Sequence, residues 1–332
     1  MEEVEKKRVK IGLVGCGRWG QNHAKTIGRL ACEFVGIADP DPAKADFAKG
    51  LGVSYYSDYR ELLPRVDALL VAAPTALHFD IVQSALAEGK HVLVEKPMTL
   101  STRQSAELVR LAHEKALVLS VGYLYRFHPV VRALKEKLAA GQKIHYITGR
   151  CIGGKNRLWA DSGAIFNFGI HFFDILNFIL DRRPASVFAE RQNLLDPERE
   201  DSAMVNLIYP DFFASLELSC VHPEKARDFW VITDREKIYA DLEKQEMRVY
   251  DFSIDAAGNA SGSLEPRVPP IEKGDPLADE FSYFFRSLAD HDPVSYDAKK
   301  NIGREDLATV HICEAALRSA VLGRKLAIEY IS

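Results

Sequence analysis

The stretch GLVGCGRWGQNH, residues 12–23, decides how the first half of this chain folds. Its glycines Gly15, Gly17 and Gly20 form the pattern GxGxxG between an apolar run and a segment with helical spacing. In that context the first glycine permits a tight turn, the second allows close approach to a pyrophosphate, and the third lets the helix pack on the strand. The helix N-terminus would then attract the anion. A glycine-rich turn without a ligand is the alternative.

An acidic residue further along supports dinucleotide binding. Asp39 ends the apolar run FVGIAD, about 20 residues past the third glycine. A carboxylate here accepts hydrogen bonds from both ribose hydroxyls of an adenosine and repels a 2′-phosphate. No arginine follows directly, so the sequence predicts NAD as cofactor, with NADP less favoured. The alternative is that Asp39 only caps a helix.

The order of apolar runs predicts two domains. Over residues 9–122 short continuous apolar runs alternate with amphipathic stretches, which indicates βαβ units and a parallel sheet with helices on both faces. After Tyr123 come two helices and then strands in close succession, which is typical of an antiparallel sheet. We predict an α/β protein with a Rossmann domain over residues 1–123. Residues 124–332 are predicted to form an α+β domain for substrate binding and oligomerisation, built on a large open, mostly antiparallel sheet.

Composition excludes several other classes of protein. The net charge of −4 over 332 residues argues against nucleic acid or an anionic membrane as the main partner. The sequence has no run of 18 apolar residues and begins with a charged segment rather than a secretory signal. The five cysteines are widely spaced and lack a CxxC pair, so we expect no disulfide framework, no metal site and a cytoplasmic location.

Two opposite charges end the apolar run VLVEKPMT, residues 92–99. Ligands of open parallel sheets bind beyond the carboxyl ends of the strands, so Glu95 and Lys96 are expected on the nicotinamide side. A desolvated lysine there can take part in proton transfer. Because X-Pro bonds are the ones that readily become cis, we predict a cis Lys96–Pro97 peptide that turns Lys96 toward the ligand. A solvated ion pair at a strand end is the alternative.

A very apolar segment, residues 164–180, carries a polar stripe. On an α-helix Asn167, His171 and Asp174 fall at i, i+4 and i+7, among phenylalanines and isoleucines. A buried polar stripe needs partners, so it either forms a closed core network or faces a wet cavity. One histidine and one aspartate offer too few ligands for a metal.

The motifs EKP, AAPTALHF and GCGRWGQNH together resemble those of the glucose–fructose oxidoreductase/inositol dehydrogenase (Gfo/Idh/MocA) family, and the resemblance extends over essentially the whole chain. It implies an NAD(P)-dependent oxidoreductase acting on a sugar, a polyol or a sugar nucleotide, with Lys96 beside the reacting carbon. We therefore expect the cofactor to contact Gly15, Cys16, Gly17, Arg18, Trp19, Gly20, Asp39, Ala73, Pro74, Thr75, His78, Glu95, Lys96 and Arg126.

The same resemblance makes His171 the acid/base residue against the substrate hydroxyl. Asn167 departs from the family pattern, which has an aspartate there, and an amide cannot relay a proton at neutral pH. The stretches NFGIHFFDIL and YITGR are similar to those of UDP-N-acetylglucosamine and UDP-N-acetylglucosaminuronate 3-dehydrogenases. Cationic residues of GGKNRLWADSG would meet a diphosphate or carboxylate, unless they lie in a solvated loop. The expected substrate contacts are Lys96, Tyr125, Lys155, Arg157, Asn167, His171 and Asp174.

These residues lead to one favoured function and two alternatives. We expect hydride transfer from a secondary alcohol carbon, at C3 of a UDP-N-acetylhexosamine or its uronate, to NAD. Lys96 or His171 takes the hydroxyl proton, and the other polarises the forming carbonyl. One alternative is an NAD-dependent glycosidase of the same fold, and the other is a non-catalytic NAD-binding sensor. We expect a homodimer or homotetramer through the sheet of the second domain.

Overall fold

The computed structural model describes residues 8–154, 162–255, 257–289 and 303–330. The chain divides into two compact units, each made of two stretches. The first unit consists of Met1–Tyr123 and Leu277–Leu307, and the second of Leu124–Pro276 and Ala308–Ser332. In chain order the α-helices of the described residues are α1 (Arg18–Ile27), α2 (Lys44–Gly50), α3 (Tyr59–Leu62), α4 (His78–Ala87), α5 (Thr102–Glu114), α6 (Pro129–Leu138), α7 (Ile170–Leu180), α8 (Pro276–Ala289) and α9 (Gly303–Leu322).

The first unit is built on a parallel sheet. Within the described residues its strands are β1 (Lys10–Val14), β2 (Glu33–Ala38), β3 (Ser54–Tyr56), β4 (Ala68–Val71), β5 (His91–Val94) and β6 (Leu119–Val121). Their spatial order is β3-β2-β1-β4-β5-β6, with every neighbouring pair parallel. The order reverses between β1 and β4, the point at which open α/β sheets bind ligands. The predicted Rossmann architecture is confirmed.

Helix α8 completes the core of the first unit, although the predicted boundaries assigned it to the second domain. Phe281 and Phe284 are fully buried among Ile11, Leu13 and Ile37. The structure differs from the predicted range 124–332 for this segment, because the described residues of α8 from Leu277 onward pack with the first unit. An amphipathic helix shows in its own sequence that it has an apolar face, but not which core that face completes.

The second unit is built on a large, mostly antiparallel sheet. Its strands, in the part of the chain that the structure describes, are β7 (Ile144–Gly154), β8 (Ser186–Gln192), β9 (Ser202–Ile208), β10 (Phe213–Ser219), β11 (Val221–Thr233), β12 (Glu236–Asp241), β13 (Glu246–Ile254), β14 (Ala260–Gly262) and β15 (Leu326–Ala327). Their order is β14-β13-β12-β11-β7-β10-β9-β8-β15, and the β7–β10 pair is parallel. Residues 255–275, which the sequence predicts as a loop, contain β14.

One face of this sheet is buried by α7 and the other is exposed. Phe172 of α7 stacks on Phe229 of β11 with ring centroids 4.3 Å apart, and both side chains are fully buried. Trp230, the next residue of β11, points to the opposite face and is partly exposed, as the alternation of a strand requires. Over the residues that the structure describes, no helix combines the length and hydropathy needed to cross a membrane.

The apolar segment 164–180 is not one continuous α-helix. Ile165–Gly169 form a π-helical turn, and α7 begins at Ile170. The start is held by the buried Glu200, whose carboxylate accepts from the Ile165 N–H at 2.9 Å. The Asn167 amide donates to the Ser162 carbonyl and hydroxyl and to the Gly163 carbonyl. A π turn changes the angle between successive side chains, so Asn167 and His171 do not form the predicted α-helical stripe.

We expect Phe281→Ala to lower the free energy of unfolding by about 3–5 kcal/mol, because it leaves a cavity in the core of the first unit. Denaturant unfolding monitored by circular dichroism measures the loss. Leu264→Ala, at an exposed side chain after β14, is the control and should change the free energy by less than about 1 kcal/mol. Equal losses in the two variants would contradict the assignment of α8 to the first core.

Candidate active site

The turn after β1 is shaped by backbone packing. Gly15 has φ = +91°, and a Cβ on it would lie 2.5 Å from the Ala73 nitrogen. A Cβ on Gly20 would lie 2.0 Å from the Gly15 carbonyl oxygen, so α1 approaches the turn closely only with glycine there. At Gly17 a Cβ would meet nothing within 4 Å. Packing within the chain therefore explains the first and third glycines, and the second leaves open space beside the backbone.

The carboxylate of Asp39 lies against this turn. Asp39 follows β2, and its Oδ2 accepts from the Cys16 N–H at 2.6 Å. Its Oδ1 accepts from the Asp41 N–H at 2.9 Å, so the side chain is held in one orientation. Burial, with a contribution from this carboxylate, raises the pKa of the Cys16 thiol, which stays protonated. The neutral thiol leaves the turn without a second negative charge.

These features fit a dinucleotide. Among the described residues no side chain caps α1 and no acid lies in its first turn, so its terminal N–H groups keep their attraction for an anion. Gly17 leaves room for the phosphates, and the Asp39 carboxylate could accept hydrogen bonds from the hydroxyls of a ribose. Arg18 and Trp19 begin α1 and are exposed. NAD bound here would supply the hydride acceptor, C4 of its nicotinamide.

A buried carboxylate lies beside Lys96. Glu95 begins the turn after β5, and its Oε2 accepts from the Lys96 main-chain N–H at 3.1 Å. Its Oε1 lies 2.6 Å from His23 Nε2 and also accepts from the Trp19 indole N–H. Burial alone would raise the pKa of Glu95, but the His23 and Trp19 hydrogen bonds and the Lys96 charge hold it below its usual range. Glu95 is thus a carboxylate.

His78 holds the other side of this turn. Its Nδ1 lies 2.9 Å from the Pro97 carbonyl oxygen, and its Nε2 lies 2.8 Å from the Ala73 carbonyl oxygen. The ring therefore links the turn after β4 to the turn after β5. The turn after β4 continues through Pro74 into the 3-10 turn Thr75–Leu77. The Lys96–Pro97 peptide is cis, as predicted.

The predicted residues of the first unit meet at one edge of its sheet. The glycine turn follows β1, Asp39 follows β2, the Ala73 turn follows β4 and Lys96 follows β5. These are four adjacent strands in the order β2-β1-β4-β5, and their carboxyl ends lie together. The hydrogen bonds of Asp39, His78 and Glu95 join the four turns into one surface.

His171 lies at the start of α7, against Tyr125. The two rings meet edge to face with centroids 5.1 Å apart, and His171 is partly exposed. Burial raises the pKa of Tyr125 to about 12, so the residue stays a neutral phenol at physiological pH. Tyr125 can therefore orient its neighbours but does not serve as a base. Nearby His128 is buried and binds the Leu242 carbonyl at 3.0 Å, which indicates a structural role.

Arg126 and Asp174 form a buried ion pair. Arg126 Nε lies 2.8 Å and 3.1 Å from the two Asp174 oxygens, and Nη2 donates to Oδ1 as well. Both side chains are almost fully buried. Burial raises the pKa of Asp174, and the guanidinium opposes that shift. This geometry favours a supporting role, in which the pair anchors α7 beneath His171, over the predicted cofactor contact of Arg126 and substrate contact of Asp174.

Two residues that lie against the predicted site residues were not themselves predicted. His23 contacts Glu95, which is 72 residues away in the chain, so no local pattern reveals the pair. Arg227 lies near Tyr125 and lowers the pKa of its phenol, and its guanidinium lies over the Phe168 ring at 4.7 Å. The alternation of side chains along β11 could have indicated Arg227, because it lies on the same inward face of the strand as Phe229. The predicted strand began at residue 228 and left it out.

Lys155 and Arg157, predicted to contact a substrate anion, lie outside the described residues. Asn167, predicted to orient the substrate, is buried and donates to the segment before the π turn. Of the predicted substrate contacts in the second unit, the structure therefore brings together Tyr125 and His171, and it adds Arg227 to them.

Relatives share this architecture. The UDP-N-acetylglucosamine 3-dehydrogenase of Acidithiobacillus ferrooxidans is 25% identical over 290 residues, which cover 87% of this chain and 91% of that enzyme. A solved structure of that dehydrogenase has a TM-score of 0.80, with 25% identity over 95% of this chain and 97% of the other. Levoglucosan dehydrogenase in complex with NADH has a TM-score of 0.82 over 97% of this chain and 100% of the other, and its 19% identity shows the fold alone.

Two family models match the chain. One, described as an oxidoreductase family with an NAD-binding Rossmann fold, matches residues 9–123. The other, the GFO/IDH/MocA C-terminal domain, matches residues 144–239. The chain therefore belongs to the Gfo/Idh/MocA family of oxidoreductases, and its first unit is an NAD-binding Rossmann domain.

Proposed function

We propose that this protein is an NAD-dependent dehydrogenase that oxidises C3 of a UDP-N-acetylhexosamine or of its uronate. The observation that carries the proposal is the joining of four turns at one sheet edge: the glycine turn, Asp39, the Ala73 turn and Lys96. Hydrogen bonds hold them in a single arrangement suited to a dinucleotide and a reacting oxygen. We expect the enzyme in the cytoplasm, where its five free cysteines stay reduced.

Lys96 and His171 take different parts in this proposal. The ionised Glu95 beside Lys96 favours the protonated amine, because an opposite charge stabilises the charged form. Lys96 then acts as a cation that donates to the substrate oxygen while the carbonyl forms. His171 takes the hydroxyl proton, since an imidazole exchanges protons near neutral pH. Tyr125, a neutral phenol, holds the His171 ring by its edge contact.

The choice of a sugar nucleotide rests on charge and on similarity. The UDP-N-acetylglucosamine 3-dehydrogenase of Acidithiobacillus ferrooxidans matches most of this chain, and Asn167 replaces the aspartate expected for polyol oxidation. The guanidinium of Arg227 adds a cation near Tyr125. Lys155 and Arg157 would add two more. Cations bind diphosphates and carboxylates through charge-assisted hydrogen bonds that a neutral polyol does not need.

We expect the protein to bind NAD about tenfold or more tightly than NADP, a difference of ~1.4 kcal/mol, because Asp39 repels a 2′-phosphate. Calorimetric titration of both dinucleotides measures the preference. Asp39→Ser combined with Pro40→Arg should narrow or reverse it, whereas Asp41→Ser, which removes a neighbouring exposed carboxylate, should not. Tighter binding of NADP by the unmodified protein would contradict the assignment.

Lys96→Ala and His171→Ala should each lower kcat by about 10²-fold, because each removes a group that exchanges or stabilises charge at the reacting oxygen. Formation of NADH from UDP-N-acetylglucosamine, its uronate, myo-inositol and glucose is followed by absorbance. The exposed His113→Ala on α5 is the control and should retain kcat. NAD affinity should change little in His171→Ala.

The outcomes of this assay separate the alternatives. Unchanged kcat in His171→Ala would mean that the histidine serves only in packing. NAD binding without turnover of any of the four compounds would favour a sensor. Turnover of a neutral polyol, with no UDP-sugar binding to the NAD-loaded protein, would contradict the sugar-nucleotide substrate and leave the dehydrogenase standing.

The exposed face of the second sheet supports self-association. Tyr146 of β7 and Phe213 of β10 stack there with centroids 5.8 Å apart, and Met204 and Trp230 lie on the same face. A recess of about 240 Å³ opens between these strands. Exposed apolar groups gathered on one face are typical of an interaction surface. We propose that a second copy of the chain covers this face.

Sedimentation equilibrium should show a homodimer or homotetramer for the unmodified protein. Phe213→Glu combined with Trp230→Glu should shift it toward monomer, because it buries charge in the proposed contact. The same pair of charges at Leu194 and Leu264, exposed residues outside this face, should leave the assembly intact. A monomer at all concentrations in the unmodified protein would contradict the proposal.

A further inference from the structure

The Glu95 carboxylate receives hydrogen bonds from three donors on two elements of the first unit. The Trp19 indole comes from the first turn of α1, the His23 imidazole from the next turn of that helix, and the Lys96 amide from the turn after β5. His23 is 1% exposed at its side chain and Glu95 is 11% exposed. One charge therefore lies between the helix that begins at the glycine turn and the lysine.

The acceptor role of Glu95 is fixed by its partners. The indole N–H and the main-chain N–H are donors only, so both carboxylate oxygens must accept. Within the described residues no group lies in hydrogen-bond distance of His23 Nδ1, and the ring binds Glu95 through Nε2 alone. His23 Nε2 therefore carries a proton and donates it to the carboxylate, which can only accept.

Packing leaves the carboxylate little room to move. A Cβ on Gly122, which follows β6, would lie 3.3 Å from the carboxyl carbon and both oxygens of Glu95. The His23 ring meets Trp19 on one side and Phe281 on the other, each edge to face with centroids 5.6 Å apart. The Trp19 indole and the His23 ring therefore contact each other as well as the same carboxylate.

We propose that Glu95 is a positioning residue that couples dinucleotide binding at the glycine turn to the orientation of Lys96. The inference rests on the proposed function, because it takes NAD as the ligand and Lys96 as the reacting lysine. Trp19 lies between Gly17 and Gly20, where the phosphates would bind, and its indole N–H is held by the carboxylate that also holds the Lys96 amide. Dinucleotide binding at the glycine turn and the orientation of Lys96 then both depend on the hydrogen bonds of the Glu95 carboxylate.

Glutamine cannot replace Glu95 in this role. Its amide offers one acceptor oxygen and one donor nitrogen, whereas all three partners are donors. In Glu95→Gln at least one N–H of Trp19, His23 or Lys96 therefore faces another donor. The shape of the side chain is kept while the link is broken, so this variant separates coupling from packing.

The test is a thermodynamic cycle on NAD affinity, measured by calorimetry with the free protein. Trp19→Phe and Lys96→Met are made singly and together, first with Glu95 present and then in the Glu95→Gln background. With Glu95 present, we expect the double variant to depart at least threefold from the product of the two single effects on Kd. Such non-additivity marks residues in one network. In the Glu95→Gln background the two effects should multiply.

Two further variants serve as a second probe and as a control. Gly122→Ala presses on the Glu95 carboxylate without changing charge, and it should also reduce the non-additivity, which keeps the test usable if Glu95→Gln folds poorly. Glu61→Gln removes an exposed carboxylate of α3 and should leave the cycle unchanged. The melting temperature of each variant shows that it is folded.

The outcomes distinguish the inference from the function on which it rests. Effects that multiply in both backgrounds would overturn the coupling and leave the proposed dehydrogenase in place. Equal non-additivity with glutamate and with glutamine would also overturn it, because the link would not pass through the carboxylate. Failure of the unmodified protein to bind NAD would overturn the proposed function itself and the inference with it.

Discussion

The first unit depends on the approach of α1 to the turn after β1. A single added carbon on Gly20 would overlap the Gly15 carbonyl oxygen, so α1 keeps its direction only because both positions are glycine. That direction brings Trp19 and His23 to Glu95, at the end of a strand two places away in the sheet. The glycines therefore leave room for a ligand and also determine which side chains contact the carboxylate beside Lys96.

The second unit solves a different problem, that of holding an imidazole on a very apolar helix. The π turn at Ile165–Gly169 and the Asn167 amide fix where α7 begins. The buried Arg126–Asp174 pair ties the helix to the preceding 3-10 turn, Leu124–Phe127. Removing one partner of a buried pair costs about 3–5 kcal/mol, so the intact pair holds α7 against this turn. These contacts hold α7, the helix that carries His171, in place. The face of the sheet opposite α7 remains available for other contacts.

The features that the sequence predicted are those set by neighbouring residues. The glycine turn, the parallel βαβ sheet and the place of Lys96 after a strand follow from local patterns and from the rule for open α/β sheets. The His23–Glu95 contact joins residues far apart in the chain, and no sequence pattern near His23 predicts it. The segment 164–180 is apolar at nearly every position, so its periodicity did not distinguish a π turn from an α-helical one. Arg227 lies on the same face of β11 as Phe229, but its proximity to Tyr125 comes from the tertiary fold, which alternation does not predict.

The return of α8 to the first core has a consequence for how the protein is made. The ribosome releases residues in order, and domains generally fold as units during synthesis. The core around Ile11 and Leu13 lacks Phe281 and Phe284 until nearly the whole chain has been translated. The second unit lies between, apart from its final stretch. The dinucleotide-binding unit, although first in the sequence, is therefore completed late, and the nascent chain must carry its apolar sheet unfinished through most of translation.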